Sequence, residues 1–179
     1  MSAYGPKEMA ASFRTVRKNT IQVAEDIPEE KYGFVAAPDT MSVGATLKHL
    51  IYSPRLYEQI HGGTGVSTMV GFDFPAALGQ LREAEQVTRS KAEIVELLKS
   101  EGERFAAWIE SLSPEFLAET FTDGTGTKRT RLESLLSPKE HEMHHRGQLM
   151  LMERMLGIVP HVTRARQQRA QGRPVSPVA

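Results

Sequence analysis

Three of the six histidines in the chain fall in one octapeptide, His141-Glu142-Met143-His144-His145-Arg146-Gly147-Gln148. Imidazole is the side chain best suited to hold a divalent transition metal while staying neutral. On a helix, residues four apart point about 40° apart around the axis, so His141 and His145 project the same way. Two imidazoles at that spacing can share one ion. On a helical wheel, His145, Met152 and Leu156 fall within about 60° of His141, with Leu149 just beyond and Met155 about 40° to the other side. The pair therefore sits in an apolar stripe and faces a core. His144 falls at the stripe's edge and reads as a flanking residue or one that supports a ligand.

Other polar residues stand where chemistry is conceivable. His49 heads a stripe that holds Ser42, Ala45, Thr46, Ser53, Leu56 and Ile60, and the small residues leave room beside its ring. Taken alone, a hydrogen-bonded core or boundary histidine is the plainer reading. Glu101 occupies an apolar position in the series Ile94, Leu98, Glu101, Phe105, Trp108, Leu112. It is a candidate fourth ligand, or a carboxylate orienting a ligand or a water. The plainer reading is a boundary glutamate with a packed stem. Gln148 projects about 20° from His141 on the wheel and can reach the same pocket. Tyr52 and Ser53 are pocket candidates, and Arg146 points elsewhere. For these four, structural hydrogen bonding is the simpler role. His61 reads as a helix-end residue. The glycines that follow it lack both a preceding strand and a Gly-Lys-Ser/Thr, so they read as a connection, not a phosphate cradle.

Composition narrows the chemistry. Lys+Arg and Asp+Glu are 22 each in 179 residues, and nothing global draws the chain to nucleic acid or anionic membrane. There is no cysteine, so a disulfide scaffold, a Cys-based zinc site and a cysteine nucleophile are excluded. No signal-peptide h-region and no apolar run of membrane length are visible, and the expected compartment is the cytoplasm.

The elements that must position these residues are helical. Met9, Phe13, Val16, Thr20, Val23 and Ile27 step by four and three, which predicts a helix over 6–26. Residues 33–41 form a Pro-containing loop. Ser42 caps a second helix over 42–60, bent at Pro54. Residues 61–75 read as loop and 75–85 as a short helix. A third long helix spans 89–112. Residues 119–130 look like a small hairpin. The Thr130…Glu133 capping box starts a last helix that runs kinked through Pro138 to Leu156, where Gly157 closes it; the alternative is a fresh start capped by Ser137 with Pro138 at its first position. One helical domain over 1–161 is expected, followed by a basic, solvated and partly disordered tail over 162–179 with Arg164, Arg166, Arg169 and Arg173. A second apolar face on the last helix, with Met143, Met150, Leu132 and Leu136 beside Gly147, predicts a homodimer.

Thr46-Leu47-Lys48-His49-Leu50, the late His-Glu-x-His-His-Arg-Gly-Gln and the closing Met152-Glu153-Arg154-Met155-Leu156-Gly157-Ile158 together resemble the DinB superfamily, over nearly the whole chain to about Pro160. The resemblance implies an all-α four-helix bundle of unusual helix order, commonly a homodimer. It implies one divalent metal held by three histidines, which map onto His49, His141 and His145. Relatives include S-transferases that use bacillithiol or mycothiol and a mycothiol-dependent maleylpyruvate isomerase, while many members have no assigned reaction. The expectation is thus a metal-dependent enzyme, most concretely a transferase of a low-molecular-weight thiol to a small electrophile. The alternatives are a metal-dependent hydrolase of small molecules and a non-catalytic helical stress or binding protein. Zinc and nickel suit imidazole best, with iron and manganese further options.

Overall fold

The computed structural model describes residues 4–62 and 67–172. The long first helix, α1, spans Pro6–Asp26 with Pro6 at its first position, where the missing N–H costs nothing. Its stripe Met9, Phe13, Val16, Thr20 and Val23 is buried along the length of α5, Lys91–Ser111, and against α7, Arg131–Met155. The second helix is interrupted. α2, Val43–Tyr52, stops there, and α3, Pro54–His61, follows after the single residue Ser53. Pro54 has no N–H to continue the ladder, so the expected bend becomes a break. α4, Phe74–Gln86, lies across α2 and α3. A short α6, Pro114–Ala118, leads into a two-stranded antiparallel hairpin, β1 (Thr120–Thr122) and β2 (Lys128–Thr130). With α1, α2–α3, α5 and α7 as its long members, the chain forms a four-helix bundle, as expected.

α7 is one helix through Pro138, opened by the reciprocal Thr130–Glu133 box. It closes at Gly157, whose φ of 78° admits the 2.8 Å bond from Ile158 N to the Glu153 carbonyl. Two apolar cores flank the middle of the bundle. One gathers Val23, Leu47, Leu50, Ile51, Leu98 and Leu149. The other gathers Phe13, Phe105, Ile109 and Leu135, with the Phe13 and Phe105 rings edge-to-face at 4.9 Å. Burying each such side chain is worth about 1.5–3 kcal/mol. At the level between them, the Arg17 guanidinium of α1 meets the Glu142 carboxylate of α7 at 2.9 Å and donates to the Leu50 and Leu98 carbonyls. Gly102 makes room for it, since a Cβ there would stand 2.7 Å from Arg17 Cγ.

Two expectations need correction. The tail over 162–179 is not merely solvated: α8, His161–Ala170, docks against α1. His161 is buried with Nε2 2.9 Å from Asn19 Oδ1, and Arg164 pairs with Asp26 at 2.6 Å. Residues 173–179, including Arg173, lie outside the described residues, as do 63–66 of the glycine-rich connection. The predicted second apolar face is also partly consumed within the chain, because Leu132 and Met150 rest on the two cores. The exposed apolar side chains of α7 are Met143, Leu151 and Met155. Among the described residues, no helix is long and apolar enough to cross a membrane.

Candidate metal centre

α2 is only ten residues long, but it is fixed at both flanks. The Ser42 hydroxyl accepts from Ala45 N, and Val43, Leu47, Leu50 and Ile51 are buried beneath it. That packing turns His49 toward α7. There His141 and His145, one helical turn apart, present their rings to it. The His49 and His141 Nε2 atoms are 3.1 Å apart, and so are those of His141 and His145. The three rings stand nearly perpendicular to one another, with centroids 4.6–5.1 Å apart. Among the described residues, these are the one group of three or more His, Cys, Asp or Glu whose ligand atoms converge closely enough for one ion.

The far sides of two rings are tied. His49 Nδ1 lies 2.9 Å from Glu85 Oε1 of α4. A carboxylate only accepts, so Nδ1 carries a proton, and in the neutral ring Nε2 is left as the acceptor. His145 Nδ1 lies 2.8 Å from Gln148 Oε1, which fixes the same tautomer. At least two lone pairs thus face a common point also faced by His141. Both 3.1 Å gaps run to His141 Nε2, which either donates to a neighbouring ring or, with its proton on Nδ1, adds a third lone pair around a shared cation. Bonds from zinc to imidazole are about 2.0–2.1 Å, so nitrogens on one ion stand no more than about 4.2 Å apart. Both measured gaps satisfy that limit, and the donor set fits a divalent transition metal.

The electrostatics agree. Burial, and then the neighbouring His145, His49 and His144, hold His141 down to about 4. Burial also lowers His145, although its bond to Gln148 works the other way. Both rings are therefore neutral at physiological pH, which is the metal-binding form.

The flanking residues sort cleanly. His144 is exposed; its ring packs edge-to-face on His145 at 5.0 Å and its Nε2 lies 3.2 Å from Gln148 Nε2, but it is not among the three whose ligand atoms converge. Glu101 takes no part. Its carboxylate is bound by Arg55 and Arg104, and those two guanidinium groups explain why a glutamate occupies that apolar position. Tyr52 is buried beneath the Arg55 guanidinium, and Ser53 serves the helix break. His61 closes α3 with its ring between Ser134 and Arg131. Glu142, inside the histidine motif, faces Arg17 instead of the cluster. Glu85 is the residue that sequence reasoning missed. Its signal was its place two turns after Ala77 and one after Leu81, on the buried face of α4.

A cavity of about 460 Å³ opens beside the cluster. His145, Gln148 and Met152 of α7 form one wall, and Thr46 and residues of the 36–41 loop form the other. Its size suits a small molecule.

Comparison with known proteins agrees with this architecture. The family model of the DinB superfamily matches residues 12–149. The uncharacterized protein YjoA of Bacillus subtilis is 26% identical over 152 residues, which are 84% of this chain and 90% of that protein. The crystal structure of YjoA, a DinB-like protein, superposes with a TM-score of 0.62 over 84% of this chain and 92% of its own. YfiT from Bacillus subtilis is described as a probable metal-dependent hydrolase with an unusual four-helix bundle topology. It superposes at TM-score 0.66 with 16% identity, covering 88% and 91% of the two chains. The mycothiol-dependent maleylpyruvate isomerase superposes at 0.61 with 11% identity, over 83% of this chain and 63% of its own. The last two are likenesses of fold.

Proposed function

The chain belongs to the DinB superfamily, and from that premise we propose that it is a metal-dependent enzyme joining a low-molecular-weight thiol to a small electrophile. In this reading His49, His141 and His145 hold one divalent ion, with zinc or nickel the best match to three imidazoles and iron or manganese the next. The observation that carries it is the convergence of three Nε2 atoms from two helices beside an open cavity. An ion bound by three side chains supplies Lewis acidity, lowering the pKa of a thiol or water placed next to it. The protein's own groups set up that chemistry. Glu85 holds the proton on His49 Nδ1, and Gln148 holds the one on His145 Nδ1. Met152 gives the cavity beside the cluster an apolar wall. The chain contains no cysteine, so the thiol enters as a co-substrate.

The described activity of YfiT favours a second reading, hydrolysis of a small molecule at the same centre. Elemental analysis of the purified protein, followed by panels of thiols with electrophiles and of esters and lactones, separates the readings. Thiol-dependent, chelator-sensitive turnover is the expected result. Turnover without thiol would select hydrolysis. A His145→Ala variant with unchanged turnover but a lowered melting temperature would make the cluster structural. The Met143, Leu151 and Met155 side chains, beside the exposed Gly147, are the surface through which a homodimer would form.

A further inference from the structure

His144 stands outside the convergent cluster, yet one residue of the cavity wall joins it to a ligand candidate. Gln148 lies three residues after His145 and four after His144, the two spacings at which side chains on a helix meet. Its amide is bonded at both ends. Oε1 is 2.8 Å from His145 Nδ1, and Nε2 is 3.2 Å from His144 Nε2. An amide nitrogen only donates and an amide oxygen only accepts. His145 therefore donates from Nδ1, and His144 accepts at Nε2. The latter is the one hydrogen bond that His144 makes among the described residues. Its ring also packs edge-to-face on that of His145 at 5.0 Å, so the three side chains form one contact set.

Turning the amide end for end would keep both bonds and reverse their direction. Its Nε2 would then donate to His145 Nδ1, and its oxygen would accept from His144 Nε2. In a neutral ring the proton of His145 would move to Nε2, the atom 3.1 Å from His141 Nε2. The first arrangement leaves His145 a lone pair for a cation, and the second plugs that position with hydrogen. We propose that His144 is a positioning residue: by accepting from Gln148 it holds the amide in the first arrangement, and so keeps His145 in the tautomer that can bind metal. The inference rests on the proposed metal centre and adds to it the residue that readies one ligand. Glu85 does the same for His49 unaided, because a carboxylate only accepts and has no donor end to turn inward. Without His144 the outer end of the exposed amide meets water, which can donate or accept, and both tautomers of His145 become populated.

The test reads the ring-nitrogen chemical shifts of the full-length, isotope-labelled protein after chelation, at about pH 8, where imidazole is neutral. Titration with zinc follows. The natural chain is expected to show His145 protonated at Nδ1 alone. His144→Ala is expected to show both tautomers, with zinc affinity lowered by the fraction still competent, about two-fold for an even mixture. Adding Gln148→Glu to His144→Ala sets an acceptor-only carboxylate against His145 Nδ1, and is expected to restore the single tautomer and the affinity. A merely structural role for His144 would not be rescued in this way. An unchanged tautomer in His144→Ala, or a mixture that persists in the double variant, would overturn the inference. The expected tautomers in a protein that takes up no zinc would overturn the metal-centre reading alone.

Discussion

Glu85 on α4 holds Nδ1 of His49 on α2 at 2.9 Å, and with it the orientation of the ligand candidate from the first half of the chain. His49 is about a quarter exposed and is not locked by packing alone. A carboxylate behind a metal-binding imidazole raises its basicity and fixes its tautomer. Glu85→Gln is expected to weaken metal binding about 10- to 100-fold without unfolding the bundle. Titration of the chelated protein with zinc measures it. Equal affinity in the variant would show that the contact is incidental.

His141 and His145 were legible because two histidines four apart stand inside an apolar stripe, and a helix makes such residues neighbours. His49 was legible through the family pattern around it. Glu85 was not, because whether a carboxylate on a short helix reaches a ring 36 residues earlier depends on how α4 crosses α2. The same reasoning applied to Glu101 went astray. Periodicity shows that a glutamate lies on an inward face, but not that Arg55 and Arg104 wait there. The basic composition of residues 162–170 concealed a docked helix for a related reason. Its anchors, Asn19 and Asp26, lie at the other end of the sequence.

The Arg17–Glu142 pair ties α1 to α7 one residue from His141, and both side chains are almost wholly buried. Removing one partner from a buried pair leaves an uncompensated charge and costs about 3–5 kcal/mol. Arg17→Met is expected to lower the melting temperature by roughly 10 °C for a domain of this size. Arg17→Met with Glu142→Met is expected to recover most of the loss, since two apolar side chains leave no stranded charge. A double variant as unstable as the single would mean that the bonds to the Leu50 and Leu98 carbonyls, not the ion pair, carry the stability.

The exposed Met143 and Met155 lie on the same helix as two of the three clustered histidines. If that face joins two copies, Met143→Glu with Met155→Glu places like charges on both sides of a symmetric contact. Sedimentation at micromolar concentration is expected to give a dimeric mass for the natural chain and a monomeric mass for the variant. A monomeric natural chain would remove the dimer.

Glu153 gives the chain a pH dependence of its own. Its side chain is fully buried on α7, and neither carboxylate oxygen has a hydrogen-bond partner among the described residues. Burial, with Asp26 adding to it and Arg164 and Arg154 opposing, pushes it up to about 7. The folded chain therefore keeps a proton that the unfolded chain, with an ordinary glutamate near 4.5, has already released. Below that ordinary value both states are protonated and nothing is lost. As pH rises from there through about 7, folding must either hold the proton against solution or bury the charge, and stability falls. The full penalty, present above the folded value, is on the order of 3 kcal/mol. Glu153→Gln is expected to flatten the melting temperature between pH 5 and pH 8 and to raise it at pH 8, while changing little at pH 4.5. Because the carboxyl belongs to the level at which α8 docks through Asp26 and Arg164, amide exchange in α8 should slow in the variant at pH 8. An unchanged pH profile would mean that the carboxylate is solvated where the structure buries it.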